Sequence, residues 1–386
     1  MPHRFNTARQ MLVTKRQLIV ALTLGAVGVV PTQSWANTQF TVTDLLDRRV
    51  SFDKQPEKFV VASYLPTFFM VGGASVLSRV VGIARDGWEK ARVAEYKRFT
   101  EAFSDLKTMP SVGGYHDSVL NVERIIGLRP DVVLVDCLQA DSNAARLRLL
   151  EKAGIRVVVL DYHSMRPERH VRSTQILGRL LGREDRSNAL CDRYLGVLKT
   201  IEERLKTIPE TQKNQRVYLE NGSNGVSRYG NTYNSEFLWG GMLKQLQARN
   251  IAADMKMSYG VLDREYVISQ NPEVLFIAGS VWINNAQTDQ MHMGLTVTPE
   301  DAQHRLNGFV RREHWQKLSA IKTKRVHAVD HGSIRSMLDH AFFMYMAQVL
   351  YPETFADFDA DKEIRSIYQT YLPELDSSGT YVLQWR

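Results

Sequence analysis

The chain has 386 residues, 44% hydrophobic and 24% charged, which is globular usage and excludes a disordered, collagenous or disulfide-dense protein. Its net charge of +7 is uneven, because Arg4, Arg9, Lys15 and Arg16 lie in residues 1–36, which hold no acid. The remaining 45 basic residues face 42 acidic ones, a balance that gives no electrostatic basis for binding nucleic acid.

Residues 1–17 are basic and polar, Leu18–Val30 is an apolar run, and Ser34-Trp35-Ala36 has the small-x-small form of a cleavage site. These are the parts of a secretory signal peptide. The run is short of the roughly 20 residues that span a bilayer. The expected mature protein begins near Asn37, is exported to the periplasm and carries no later membrane helix. Two cysteines, Cys137 and Cys191, are too few for a four-thiolate metal centre. An oxidising compartment would permit them to pair, but the sequence does not place them together.

Three short β-branched runs, Phe59–Ser63, Asp131–Val135 and Arg156–Leu160, read as buried parallel strands. Helical patterns at Ser118–Leu128 and Asn143–Ala153 lie between them, which is the rhythm of an α/β unit. A long amphipathic helix is expected from Glu184 to Lys206. Its apolar stripe runs Leu190, Tyr194, Leu198, Ile201, Leu205 and Ile208, and Pro209 stops it. A second set of strands follows at Arg216–Glu220, Glu273–Ala278 and Arg325–Val329. Met337, Phe342, Phe343, Met344 and Met346 mark a core helix after them.

The two halves echo each other. Val122–Leu134 and Arg264–Phe276 each place a Glu (Glu123, Glu265) seven positions before a Pro (Pro130, Pro272), then an acid, then a strand. Pro cannot continue the helix and suits the turn into the strand. A duplicated lobe on either side of the long helix is the preferred reading. The expected organisation is residues 1–36 signal peptide, 37–183 N-terminal lobe, 184–208 linker helix and 209–386 C-terminal lobe.

In parallel sheets, ligands bind beyond the carboxyl ends of the strands. Those ends carry Tyr64, Tyr162-His163, Tyr229 with Tyr233, Trp282, and His331 with Arg335. The loop before Asn121 adds Tyr115-His116-Asp117 after two glycines. Arg offers a planar fork for carboxylate, phosphate or oxyanion, His can ligate metal, and indole packs on a bulky ligand. Each residue also has a structural alternative, as a helix cap or as core. Met291-His292-Met293 resembles a soft-metal triplet, although a surface loop explains it better.

Three stretches carry a family resemblance: Thr41–Lys58, Asn121–Leu134 and Gln175–Glu184. They resemble, in turn, the opening hairpin, the most recurrent element and the approach to the linking helix of bacterial periplasmic substrate-binding proteins that serve iron-chelate and cobalamin ABC importers. The resemblance implies an α/β fold of two Rossmann-like lobes with mostly parallel sheets joined by a single long α-helix, ligand in the cleft between them, and no enzyme activity. It also implies that Glu123 and Glu265 dock arginines of an inner-membrane permease dimer. The segment Trp282–Arg305 and the tail from Tyr351 depart from a minimal member.

The function expected is capture of a small-molecule metal complex, an iron-siderophore or related chelate, by a monomer with no intrinsic cofactor. Cobalamin, haem, nickel or cobalt chelates and oxyanions stay open, and the sequence assigns no metal ligands. One alternative is an exported metal- or haem-binding chaperone using His116, His163 and His331. Another is an exported hydrolase, against which stands the absence of a Gly-x-Ser-x-Gly elbow, a His-Glu-x-x-His helix or a phosphate-binding glycine loop.

Overall fold

The β-branched runs pair as two parallel sheets in a computed structural model that describes residues 39–115, 119–283 and 289–386. The leader 1–36 and His116 lie outside the described residues. The first sheet has the order Val80–Ile83, Phe59–Val61, Val132–Asp136 and Arg156–Leu160, all parallel. Its central strand Val132–Asp136 is buried along its whole length, as a strand covered on both faces must be. The hairpin Phe40–Thr43 with Arg49–Phe52 precedes it. The second sheet has the order Val382–Gln384, Val326–Asp330, Val274–Gly279, Arg216–Asn221 and Arg249–Asn250; the first of these is antiparallel and the rest are parallel. The fold is mixed α/β, as expected, with Val80–Ile83 and the C-terminal edge strand as additions.

Helix Glu184–Leu205 has 22 residues, roughly 33 Å at 1.5 Å per residue. It buries Leu190, Cys191, Tyr194, Ile201 and Leu205. Helix Pro167–Leu181 precedes it and ends at Gly182 in the left-handed region. The two helices cross so closely that a Cβ on Gly178 would lie 2.0 Å from Ser187 Oγ. The tail supplies further ties. Glu363 on helix Ala360–Tyr371 accepts hydrogen bonds of 2.7 and 2.8 Å from Arg193 of the long helix and lies 2.7 Å from His340 Nε2. Arg98, in the first half of the chain, pairs with Asp376 at 2.8 Å. The residues after Tyr351 thus brace the long helix and complete a sheet.

The internal echo extends to individual hydrogen bonds. Helices Val122–Leu128 and Arg264–Gln270 are each capped by an Asn or Asp side chain, Asn121 or Asp263. Each ends on a left-handed residue, Arg129 or Asn271, immediately before the proline. The acid after the proline then receives the chain entering the neighbouring strand. Asp131 accepts from the amides of Glu57 and Lys58 at 2.7 and 2.8 Å, and Glu273 accepts from that of Arg216 at 2.9 Å. Glu123 and Glu265 sit exposed in the first turns of these matched helices, where a negative charge also complements the helix dipole.

Candidate functional site

Sheet geometry gathers one set of side chains at the carboxyl ends of both sheets. Beyond strand Phe59–Val61 the chain turns at Tyr64, whose φ of 59° is left-handed. A non-glycine residue held there stores strain, of the kind found at binding sites. The Tyr64 hydroxyl lies 2.6 Å from His163 Nδ1 and accepts from the Tyr162 amide at 3.2 Å. Burial pushes the His163 pKa down to about 3, with the charge of Arg335 adding to the effect, so this histidine is neutral at physiological pH.

The opposite wall comes from helices Arg85–Ala91 and Val93–Ala102. Trp88, Arg92 and Glu95 follow one another at helical spacing and all line the cleft. Gly87 makes room for Tyr115, since a Cβ there would lie 2.1 Å from the tyrosine Cβ. The third wall is the loop after strand Val326–Asp330. Asp330 accepts from the Gly332 and Ser333 amides at 2.8 and 3.1 Å, which fixes the turn. Arg335 follows at φ 68° and donates to the His331 carbonyl at 2.7 Å. Tyr368 of the C-terminal helix closes the floor.

The cleft is positive where it matters. Arg92 is 5% exposed and Arg335 9%, and among the described residues neither guanidinium lies within 4 Å of a carboxylate. Burial, then the neighbouring Arg92 charge, lowers the Arg335 pKa to about 10. Buried charges are ordinarily paired; two guanidiniums placed in this way in one cleft could receive an anion. The free space is about 90 Å³, suited to a compact ligand.

Of the residues expected from the sequence, Tyr64, Tyr115, His163 and Arg335 line this cleft. Tyr162, Tyr229, Tyr233, Trp282 and His331 do not. Tyr162 is fully buried and bonded to Thr174 Oγ1 at 2.8 Å, because the side chain next to one facing the cleft points the other way. Tyr229 stacks under Arg312, 4.9 Å from its guanidinium, and its hydroxyl accepts from Trp315 Nε1. Tyr233 is buried with its hydroxyl taking the Asn221 amide at 3.2 Å. Trp282 stands on a segment whose neighbours bond across to the first half, Val93 N to Val281 O and Ile283 N to Lys90 O. His331 Nδ1 accepts from Trp239 Nε1 at 3.0 Å, so His331 supports Arg335 from behind.

Packing also bears on the methionine triplet and the two cysteines. Met291 and Met293 are core, and His292 pairs with Asp301 at 3.3 Å, so the triplet is no soft-metal site. Cys137 and Cys191 are free thiols. No group of three or more potential metal ligands occurs among the described residues. Sequence reading missed Trp88, Arg92, Glu95 and Tyr368. The steps of four and three from Trp88 to Arg92 to Glu95 were the available signal, a spacing that carries an indole and both signs of charge across the break between two helices.

Comparison with known proteins agrees with this architecture. An ABC transporter substrate-binding lipoprotein of Bacillus subtilis, YvrC, is 24% identical over 323 residues, 82% of this chain and 87% of the relative. The molybdate-binding protein MolA of Haemophilus influenzae is 22% identical over 350 residues, 86% and 90% of the two chains. The crystal structure of the TroA-like periplasmic binding protein FepB from Veillonella parvula superposes with a TM-score of 0.83 at 27% identity, covering 90% of this chain and 99% of that one. Residues 81–331 match the profile of the periplasmic binding proteins, and the chain belongs to that family, whose members are substrate-binding components of ABC transporters and not enzymes.

Proposed function

We propose that the protein captures an anionic solute in this cleft and delivers it to an inner-membrane ABC permease, with an anionic metal complex, iron chelates foremost, as the solute class. The observation that carries the reading is the pair of buried guanidiniums, Arg92 and Arg335, in one cleft with no carboxylate within 4 Å of either among the described residues. Tyr64, Tyr115 and His163 supply hydroxyl and imidazole groups around them, a lining suited to the oxygen-rich rim of a chelate. A compact oxyanion is the second reading, favoured by the small free space and by the molybdate-binding relative. Export through the leader 1–36 places the protein in the periplasm. Glu123 and Glu265, exposed at matched positions of the two halves, dock the permease.

The test is titration calorimetry of the mature protein with molybdate, ferric citrate and haem. At least one anionic probe binds the wild type tightly, and Arg92→Ala and Arg335→Ala each weaken it by about 1.5–3 kcal/mol, the range of a hydrogen bond to a charged group. Tight binding of a probe that neither substitution weakens would place the site elsewhere.

A further inference from the structure

Glu95 is out of place in an anion receptor. Its carboxyl lines the same cleft as the two arginines, where an ionised form would repel the ligand they attract. One oxygen, Oε1, accepts from Trp88 Nε1; Oε2 bonds to no described residue. The groups that face it come from every surrounding wall. Trp88 and Arg92 lie on its own side, Tyr115 on the glycine-rich loop, Asp330 and Arg335 on the loop of the second sheet, and Tyr368 on the C-terminal helix. Asp330 works against ionisation of Glu95, while Arg92 and Arg335 favour it. Burial outweighs both arginines and pushes the carboxyl up to about 7.

We propose that Glu95 couples ligand capture to a proton: it enters the anion complex as the neutral carboxylic acid, so the protein takes one proton from solvent onto the carboxylate as the anion binds. The proposal rests on the anion-receptor reading of the cleft. Its logic is charge balance. With Glu95 ionised, one of the two guanidinium charges is offset; with Glu95 protonated, both act on the ligand. An anion seated between Arg92 and Arg335 also takes up the attraction that had favoured the carboxylate. Bound anion therefore raises the proton affinity of Glu95, and by reciprocity the proton raises affinity for the anion. His163 takes no part, because burial keeps it neutral throughout this pH range.

The experiment is calorimetry from about pH 6 to about pH 8.5, in pairs of buffers with different ionisation enthalpies, using molybdate, which does not itself titrate in this range, with ferric citrate and haem as further probes. Wild-type affinity should fall roughly tenfold across the range, since a single linked proton gives at most a tenfold change per pH unit. The heats should report uptake of up to one proton near pH 8. Glu95→Gln keeps the shape of the side chain and an oxygen for Trp88. It should bind at least as tightly as wild type at pH 8.5, with a flat profile. A pH-independent wild-type affinity without proton uptake overturns the proposal, and the uptake measurement needs no variant. Loss of binding in a folded Glu95→Gln also overturns it, showing that the carboxylate accepts a hydrogen from the ligand. Failure of all three anions to bind wild type at any pH is a distinct result and refutes the anion receptor itself.

Discussion

Replacing Arg335 by Met should act in opposite directions on stability and on binding. The guanidinium pKa is lowered to about 10 by burial and the nearby charge of Arg92. At about 1.4 kcal/mol per pH unit, keeping it charged at neutral pH costs the folded state roughly 3 kcal/mol. Against that stands the 2.7 Å hydrogen bond to the His331 carbonyl, worth about 1.5–3 kcal/mol from a charged donor. Met fills similar volume and keeps the left-handed backbone, φ 68°, so the strain there is unchanged. The net expectation is a ligand-free protein unchanged or stabilised by about 1 kcal/mol. Anion affinity should fall tenfold or more. Urea denaturation without ligand and calorimetry with ligand measure the two effects. A loss of stability greater than about 1 kcal/mol would refute the reasoning, since it would mean that Arg335 is a structural arginine satisfied by its own protein.

Arg312 is the contrasting case. Its guanidinium makes a bidentate pair with Glu220 at 2.7 and 2.9 Å, bonds three carbonyls and lies over Tyr229, Phe309 and Trp315. Arg312→Met should cost about 3–5 kcal/mol in equilibrium denaturation, because it strands a buried carboxylate. Glu363 provides the pH signature. Burial works to raise its pKa, but the hydrogen bonds from His340 and Arg193 prevail and hold it at about 2. Its folded value lies below its unfolded one, so its contribution is present above the ordinary glutamate range and lost as pH falls towards 2. Denaturation curves between neutral and acid pH should show Glu363→Gln flattening that loss. Reversing Glu123 and Glu265 to Arg together should abolish uptake by cells while calorimetric affinity stays within twofold of wild type, since both side chains are exposed on helices outside the cleft and such charges set partner register.

Local signals carried much of the fold. Arg156–Leu160 is a strand at the bounds its β-branched run suggests. The long helix begins at Glu184 and ends one residue short of the expected Lys206, because its apolar stripe and the downstream proline act within a few turns of backbone. The echo around Glu123 and Glu265 was equally legible, down to the prolines, since a cap, a left-handed stop and a strand entry are each written in adjacent residues. Val80–Ile83 escaped because a four-residue strand containing Gly82 has no periodicity to read. Val382–Gln384 escaped because only the sheet edge beside Val326–Asp330 makes it a strand.

The site was decided by tertiary structure. Sequence placed Tyr162 and His163 side by side at one strand end, and the pleat sends the first into the core and the second into the cleft. It set Tyr229 in a polar loop, where a buried Arg312 more than 80 residues away claims the ring. The pairing of Arg92 with Arg335 joins residues from opposite halves of the chain, and no spacing rule links them. Composition and periodicity record what each segment does with its own backbone. Which side chains meet depends on how two sheets, a stiff helix and a C-terminal brace are set against one another, and that arrangement is what brings two like charges together in one cleft.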